Sequence, residues 1–245
     1  MPRKKKITKS KTKSTTKFSK TPEQYNSFAS LFQIFMQNTS HPQIVFSKET
    51  QWYDTHPGYR VHGYKTVQVS QVMGIYSIIS PQFIKKFDTI IEIGTYNGGL
   101  SLWLDDNKKN GAKFVTYDID GSINASKKYS RSIECRVQSC FDDVAEEDIK
   151  NLIQSTGKSL VLCDGGDKPK EFNTFSKYLK SGDHIMAHDY KREQRDWDIV
   201  TAFWQWPYAT DTNYEDIQQS VDKYNLTEYE RRPFEFALWG SFVKR

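Results

Sequence analysis

The chain has 245 residues, which is enough for one domain with a full hydrophobic core plus an appendage, but not for two domains of ordinary size. Its formal charge of +5 comes from the first 20 residues, which hold nine of the 35 Lys and Arg residues and no acid. The remaining 26 basic and 30 acidic residues give a slightly acidic fold, which disfavours a nucleic-acid-binding domain with a basic surface of its own.

Residues 1–20 are predicted to form a disordered basic tail, since a Lys/Ser/Thr run buries too little apolar surface to offset the entropy of ordering. The tail can be read as a solubilising extension, as a nuclear-type address, or as an arm that binds nucleic-acid phosphates. The chain has no apolar secretory core and no run of about 18 apolar residues, so we expect a soluble, cytoplasmic protein without a membrane partner. These patterns do not predict an oligomeric state.

Residues 21–87 are predicted to form a helical and loop extension that packs on the core. A capping box at Thr21 and Gln24 begins a helix that runs to Gln37 and carries an apolar stripe. A polar, aromatic-rich connection follows, and a second helix is expected from about Val67 to Ile79.

Residues 88–245 alternate short apolar runs with amphipathic stretches, beginning with "TIIEIG", "GGLSLWLDDNKK" and "AKFVTYDID". Strands and helices in alternation indicate an α/β fold, in which a doubly wound, mostly parallel sheet carries helices on both faces. The last two strand-like runs, "LTEYERR" and "FEFALWGSFVKR", are separated by a short segment that contains Pro233. We therefore predict a C-terminal antiparallel hairpin, joined by a turn, at the edge of the sheet.

The turn after the first of these strands, "EIGTYNGG", is the first candidate for a ligand site, because ligands of open α/β sheets lie beyond the carboxyl ends of the strands. Gly94 permits a sharp turn, and Gly98 and Gly99 permit close approach of a ligand to the start of the next helix. Glu92 would repel the pyrophosphate of a dinucleotide, whereas it suits the cationic amino-acid group of S-adenosylmethionine. The alternative is an ordinary tight turn with solvated acids.

The next strand, "KFVTYDID", ends in Asp118, at about the distance from the glycine turn where an acid can accept hydrogen bonds from ribose hydroxyls. Asp120 competes with it for that role. A glycine-rich turn alone is a weak signal, and the acid at this spacing strengthens it. The two features together favour a nucleoside-containing cofactor.

These segments, together with "SLVLCDGGDKPKEFNTFSKYLKSGDHIMAHDY", resemble the class I, Rossmann-like, S-adenosylmethionine-dependent methyltransferases, and most closely the cephalosporin hydroxylase and rhamnosyl O-methyltransferase group. The resemblance covers Arg60 to Tyr190 and implies a seven-stranded sheet and S-adenosylmethionine as cofactor. It implies that the first turn faces the methionine moiety, that Asp118 faces the ribose, and that the segment "QSCFDD" wraps the adenine. The cofactor-binding residues so predicted are Glu92, Gly94, Thr95, Tyr96, Gly98, Asp118, Ile119, Ser139, Cys140 and Asp164, with Phe141 and Asp142 as further candidates.

Two later strands end in "LCDGGDK" and "MAHDY", and the ends of neighbouring strands project into one cleft. We therefore expect Asp164, His188 and Asp189 to converge as the catalytic residues. In one mechanism Asp164 and Asp189 hold Mg²⁺, which lowers the pKa of a substrate hydroxyl, although the histidine departs from the all-oxygen ligand set that Mg²⁺ prefers. In the other, His188 removes the proton as general base. A third interpretation is that these residues only hydrogen-bond the loop backbone.

The function predicted is methyl transfer to a hydroxyl group of a small molecule or sugar, with possible assistance from a divalent cation. One alternative is a nucleic-acid methyltransferase that uses the basic tail, although "DGGD" stands where such enzymes usually carry a D/N-P-P-aromatic tetrad. The other is a domain that binds the cofactor without catalysis.

Overall fold

The computed structural model describes residues 59–61, 64–66, 83–96, 98–121, 132–204 and 209–245. The predicted basic tail and the two helices predicted within residues 21–87 lie outside these ranges. Among the described residues, no helix has the length and apolar character needed to cross a membrane.

The strands are, in chain order, β1 (Tyr59–Val61), β2 (Tyr64–Thr66), β3 (Thr89–Ile93), β4 (Lys113–Asp118), β5 (Ile133–Val137), β6 (Ser159–Cys163), β7 (His184–His188), β8 (Tyr190–Lys191), β9 (Thr212–Asn213), β10 (Leu226–Glu228) and β11 (Trp239–Lys244). The α-helices are α1 (Gly99–Asn107), α2 (Asp143–Ile153), α3 (Lys168–Phe175), α4 (Gln194–Trp204), α5 (Tyr214–Lys223) and α6 (Arg231–Phe236). Strands β1 and β2 pair with each other, and so do β8 and β9, outside the main sheet.

The main sheet has seven strands in the order β10-β11-β7-β6-β3-β4-β5. Strand β3 pairs in parallel with both β4 and β6, and the chain continues from β4 to β5 on one side and from β6 to β7 on the other. The strand order therefore reverses beside β3, which creates a crevice at the carboxyl ends of β3 and β6. The predicted mostly parallel, seven-stranded sheet is confirmed.

Helices cover both faces of this sheet. Successive residues of a strand point to opposite faces, so Ile90 of β3 joins one apolar cluster and Ile91 the other. The first cluster receives side chains from α1, α4 and α6, and the second from α2, α3 and α5. All five residues of β3 are buried as a result, so the turn at its carboxyl end follows a strand that is packed on both faces.

The C-terminal pairing is confirmed, because β10 and β11 are antiparallel, with β10 at the edge of the sheet. The expected Pro-containing turn between them is wrong: helix α6 makes the connection, and β11 begins only at Trp239. Pro233 falls in the first turn of α6, where a backbone N–H has no acceptor within the helix and proline is tolerated. The sequence predicts Phe234 in a strand, but the residue belongs to α6, and its side chain is buried in the first apolar cluster.

Candidate active site

The glycine turn after β3 is held against the end of β6. Gly94 has a φ of +91°, and a Cβ atom on it would lie 2.2 Å from the carbonyl oxygen of Asp164. The Gly94 N–H donates to the Tyr117 carbonyl at 2.8 Å, and the Asp164 N–H donates to the Ile93 carbonyl at 2.9 Å. The bare backbone of Gly94 is therefore required for the ends of β3 and β6 to meet.

Asp118, the predicted ribose ligand, holds this turn from the end of β4. Its Oδ2 accepts hydrogen bonds from the backbone N–H groups of Thr95 at 2.9 Å and Tyr96 at 3.0 Å, and its Oδ1 accepts from Asp120 N–H at 2.9 Å. Each carboxylate oxygen can accept a second hydrogen bond, so the contact with ribose stays a prediction. Asp120, the competing acid, is exposed two residues further on.

Glu92 lies beneath the glycine turn and is completely buried. Its Oε2 accepts hydrogen bonds from Ser101 Oγ at 2.5 Å and Thr116 Oγ1 at 2.7 Å, whereas Oε1 has no partner among the described residues. Burial raises the pKa of Glu92 to about 8, and the two hydrogen bonds only partly oppose this rise. Glu92 does not line the cavity described below, and Thr116 and Thr95, whose hydroxyls are 2.6 Å apart, connect its carboxyl group to that cavity. Its contact with the cofactor stays a prediction.

The residues predicted for the adenine side lie outside that cavity. Ile119 is 80% exposed after β4, where a flat apolar ligand could cover it. Ser139 Oγ accepts from Phe141 N–H at 3.2 Å and shapes the turn before α2. The Cys140 side chain packs in the second apolar cluster, where burial raises the pKa of its thiol to about 12. Only the backbone of Cys140 is therefore available to a ligand.

The structure brings Asp164, His188 and Asp189 together at the ends of β6 and β7. His188 Nδ1 lies 2.9 Å from Asp164 Oδ1 and 3.7 Å from Asp189 Oδ2. Asp189 has a φ of +50°, and its Oδ2 also lies 3.5 Å from Lys168 Nζ. Its Oδ1 is buried and has no hydrogen-bond partner among the described residues.

The charges of this group act on one another. Burial alone would lower the pKa of His188, but the carboxylates of Asp164 and Asp189 outweigh it, so the pKa of His188 is raised. The ring of Trp239 packs against the imidazole with a centroid distance of 4.7 Å. Burial raises the pKa of Asp189, with partial opposition from His188 and Lys168. His188 is therefore held as a donor between two acids.

For Lys168 the sequence allows two interpretations, a ligand for an anionic substrate or a solvated lysine at a helix start, and it favours the solvated one. Lys168 is only 8% exposed at the beginning of α3. Its Nζ lies 2.7 Å from Asp211 Oδ2 and 3.5 Å from Asp189 Oδ2. Burial would lower the pKa of Lys168, but Asp164, Asp211 and Asp189 raise it, so the ammonium form is favoured. The "DGGDK" spacing gave no signal of this burial, which depends on Asp211, 43 residues away.

One cavity of about 200 Å³ joins the glycine turn to the charged group. It is lined by Gly94, Thr95, Tyr96, Gly99, Leu100, Asp164, Lys168, His188 and Asp189. Gly98 has a φ of +76° and precedes α1, whose first N–H groups face this edge of the sheet. The cavity thus combines a backbone cradle with side chains that can bind and move protons.

These residues fit S-adenosylmethionine and do not fit Mg²⁺. The start of α1 has no side-chain cap and offers backbone N–H groups to the carboxylate of the cofactor, and the buried Glu92 lies beneath the same turn with its Oε1 unpartnered among the described residues. By contrast, the Nδ1 atom of His188 stands between Asp164 and Asp189, and the Lys168 ammonium group lies 3.5 Å from Asp189, whereas Mg²⁺ requires oxygen ligands in an octahedron. The described residues contain no group of three or more His, Cys, Asp or Glu side chains placed to hold a metal ion.

This sheet, with a glycine turn at the point where the strand order reverses, is the fold of the class I S-adenosylmethionine-dependent methyltransferases, as the sequence predicts. The chain is similar to the apo structure of CmcI-N160, with a TM-score of 0.53 and 13% identity over 83% of this chain and 89% of that one. It is similar also to CmcI-D160 with Mg and S-adenosylmethionine, with a TM-score of 0.53 and 15% identity over 84% and 88% of the two chains.

At these identities the likeness establishes the fold alone. No protein-family model and no curated protein sequence matches the chain.

Proposed function

We propose that the chain is an S-adenosylmethionine-dependent methyltransferase that methylates a hydroxyl group of a small molecule or sugar. The observation that supports this most directly is the single cavity that has a glycine cradle on one side and Asp164, His188, Asp189 and Lys168 on the other. A cofactor-binding surface and a group of proton-handling side chains are thereby within reach of one bound acceptor.

The cofactor would be held by the turn from Gly94 to Gly99 and by the first N–H groups of α1, which suit its carboxylate. Glu92, beneath the turn, would favour the ammonium group of the cofactor in its ionised form, which predominates above its pKa of about 8. Bound S-adenosylmethionine supplies a methyl group on a sulfonium sulfur, which becomes a neutral thioether when an acceptor oxygen takes the methyl group. The half-exposed Tyr96 lies on the rim of the cavity, where it can contact an acceptor.

Asp189 is the residue that we assign as the proton acceptor. Its Oδ1 is buried with no partner among the described residues, so it can accept the proton that the hydroxyl loses as the new C–O bond forms. His188 donates from Nδ1 to Asp164 and fixes the position of that carboxylate beside the cavity. His188 as general base is the competing assignment. No step is assigned to the magnesium ion predicted on Asp164 and Asp189, because the His188 nitrogen between them and the Lys168 ammonium group beside Asp189 do not suit it.

Calorimetry tests cofactor binding without knowledge of the acceptor. We expect S-adenosylmethionine and S-adenosylhomocysteine to bind and NAD to give no heat of association. At a concentration 100 times its dissociation constant, either ligand should add about 2.7 kcal/mol to the free energy of unfolding, seen as a raised melting temperature. Binding of NAD in place of both sulfur compounds would refute the proposal.

Transfer is tested with S-adenosylmethionine labelled in its methyl group and panels of phenols, sugars and nucleic acids. We expect label on a hydroxyl-bearing small molecule, and a loss of at least about 100-fold in rate for Asp189→Asn with cofactor affinity retained. An unchanged rate in Asp189→Asn together with a loss in His188→Gln would move the base to His188. Label that appears only on nucleic acid would favour the tail-dependent alternative, and cofactor binding without any transfer would favour the non-catalytic domain.

A further inference from the structure

We propose that the ammonium group of Lys168 occupies the position of a divalent cation in this site, so that methyl transfer needs no metal ion. The proposal rests on the function proposed above and concerns the acceptor half of the same cavity. It assigns Lys168 as the group that binds the acceptor oxygen.

The Lys168 ammonium group lies between two carboxylates at the edge of the cavity. Asp189 follows β7 directly, and Asp211 immediately precedes β9. Lys168 Nζ lies 2.7 Å from an oxygen of Asp211 and 3.5 Å from an oxygen of Asp189. Asp164 is the third acid of this part of the cavity, and its Oδ1 lies 2.9 Å from His188 Nδ1. An incoming divalent cation would meet two nitrogen donors, one of them an ammonium group, where it needs oxygen ligands.

The position of Lys168 is fixed by its own helix. Asp167 caps α3 by accepting a hydrogen bond from Lys170 N–H at 3.2 Å. Glu171, one turn into α3, accepts from the N–H groups of Gly165 and Asp167, both at 3.2 Å. A buried ammonium group is costly unless it is paired, and here the two carboxylates provide the pairing. Displacing Lys168 would therefore remove this counter-charge from the buried Asp189.

The same placement gives Lys168 a role toward the acceptor. An ammonium group has three N–H donors, and the short contact with Asp211 uses one of them. Lys168 lines the cavity, so a further donor can bind an acceptor oxygen. The positive charge would stabilise the oxygen as its proton leaves for Asp189. This is the electrostatic part of what a bound cation supplies, without a metal ligand set.

The test uses Mn²⁺ as the probe, measured by the loss of its free electron paramagnetic resonance signal, on the full chain saturated with S-adenosylhomocysteine. We expect no detectable binding of Mn²⁺ to the wild type, and binding to Lys168→Ala that is at least about tenfold tighter than the detection limit, because the variant removes the ammonium group from beside Asp189 and Asp211. Adding Asp189→Asn to Lys168→Ala should abolish the new binding. Lys177→Ala, which removes a surface lysine paired with Glu146, is the matched control and should behave as the wild type.

Two results would overturn the proposal. One is wild-type binding of Mn²⁺ that Asp164→Asn or Asp189→Asn abolishes, a result that needs no lysine variant to fold. The other is a folded Lys168→Ala protein that binds S-adenosylhomocysteine but no Mn²⁺. Calorimetry with S-adenosylhomocysteine separates failure of the proposed function from failure of the proposal for Lys168. A wild type that does not bind S-adenosylhomocysteine contradicts the proposed function, whereas the Mn²⁺ results bear on Lys168 alone.

Discussion

Gly94→Ala should destabilise the protein by more than about 4 kcal/mol and abolish binding of S-adenosylmethionine. Two causes add at this position. The φ of +91° is unfavourable for any residue with a side chain, and the new Cβ would lie 2.2 Å from the Asp164 carbonyl oxygen and 2.8 Å from Gly165 Cα. Both contacts are with backbone, which cannot rotate away as a side chain can. The ends of β3 and β6 would have to separate, and the cavity floor lies between them.

Gly111→Ala is the matched control, because Gly111 has a similar φ of +80° but no atom within 4 Å of the added Cβ. The stability of Gly111→Ala should fall by only about 1 kcal/mol, the cost of placing a residue with a side chain at this φ. Urea unfolding of both variants measures the difference, and calorimetry measures cofactor binding by whichever variants fold. A Gly94→Ala protein as stable as Gly111→Ala would contradict the close approach of the two strands.

Glu92→Gln should remove a strong pH dependence of stability. The pKa of Glu92 rises from 4.5 in the unfolded chain to about 8 in the fold, chiefly because of burial. Between these pH values the folded state binds the proton and the unfolded state does not, so the free energy of unfolding falls as pH rises. The whole window corresponds to about 5 kcal/mol. Relative to the wild type, the glutamine variant should therefore gain stability steadily from pH 4.5 to pH 8.

The measurement is urea unfolding of the wild type and Glu92→Gln across that pH range without cofactor, with the exposed Glu147→Gln on α2 as control for the loss of a carboxyl group. Parallel pH profiles for the wild type and Glu92→Gln would show that the buried carboxyl group does not titrate as described. The same variant tests the role of the charge in binding. Above pH 8, where the wild-type residue is ionised, Glu92→Gln should bind the cationic cofactor more weakly.

The architecture was accessible from the sequence because it depends on local patterns. Apolar runs in alternation with amphipathic stretches predicted the parallel sheet, and Gly94 predicted a tight turn at the end of its first strand. Pro233 was misleading, since proline marks a turn in many contexts but also fits the first turn of a helix such as α6. The pairing of β10 with β11 was nevertheless predicted, because it follows from the apolar character of the two runs.

The electrostatics of the site were not accessible in the same way. The sequence shows an acid before a glycine turn, but not that Ser101 and Thr116, nine and 24 residues away, bind that acid and that it is completely buried. Lys168 likewise depends on Asp211, which the fold brings to it from beyond β8. Burial and pairing of charges arise from contacts between distant segments, and a single sequence records neither.

The position of β11 has a consequence for biosynthesis. This strand lies between β7 and β10, pairs with His184 through His188, and places Trp239 against the His188 imidazole. A nascent chain that has reached only Glu228 therefore exposes an open strand edge at β7, and the carboxyl end of that strand, at His188, has no cover. Folding during translation must wait for residues through Lys244 to leave the ribosome, and until then the uncovered edge is open to wrong pairing with other chains.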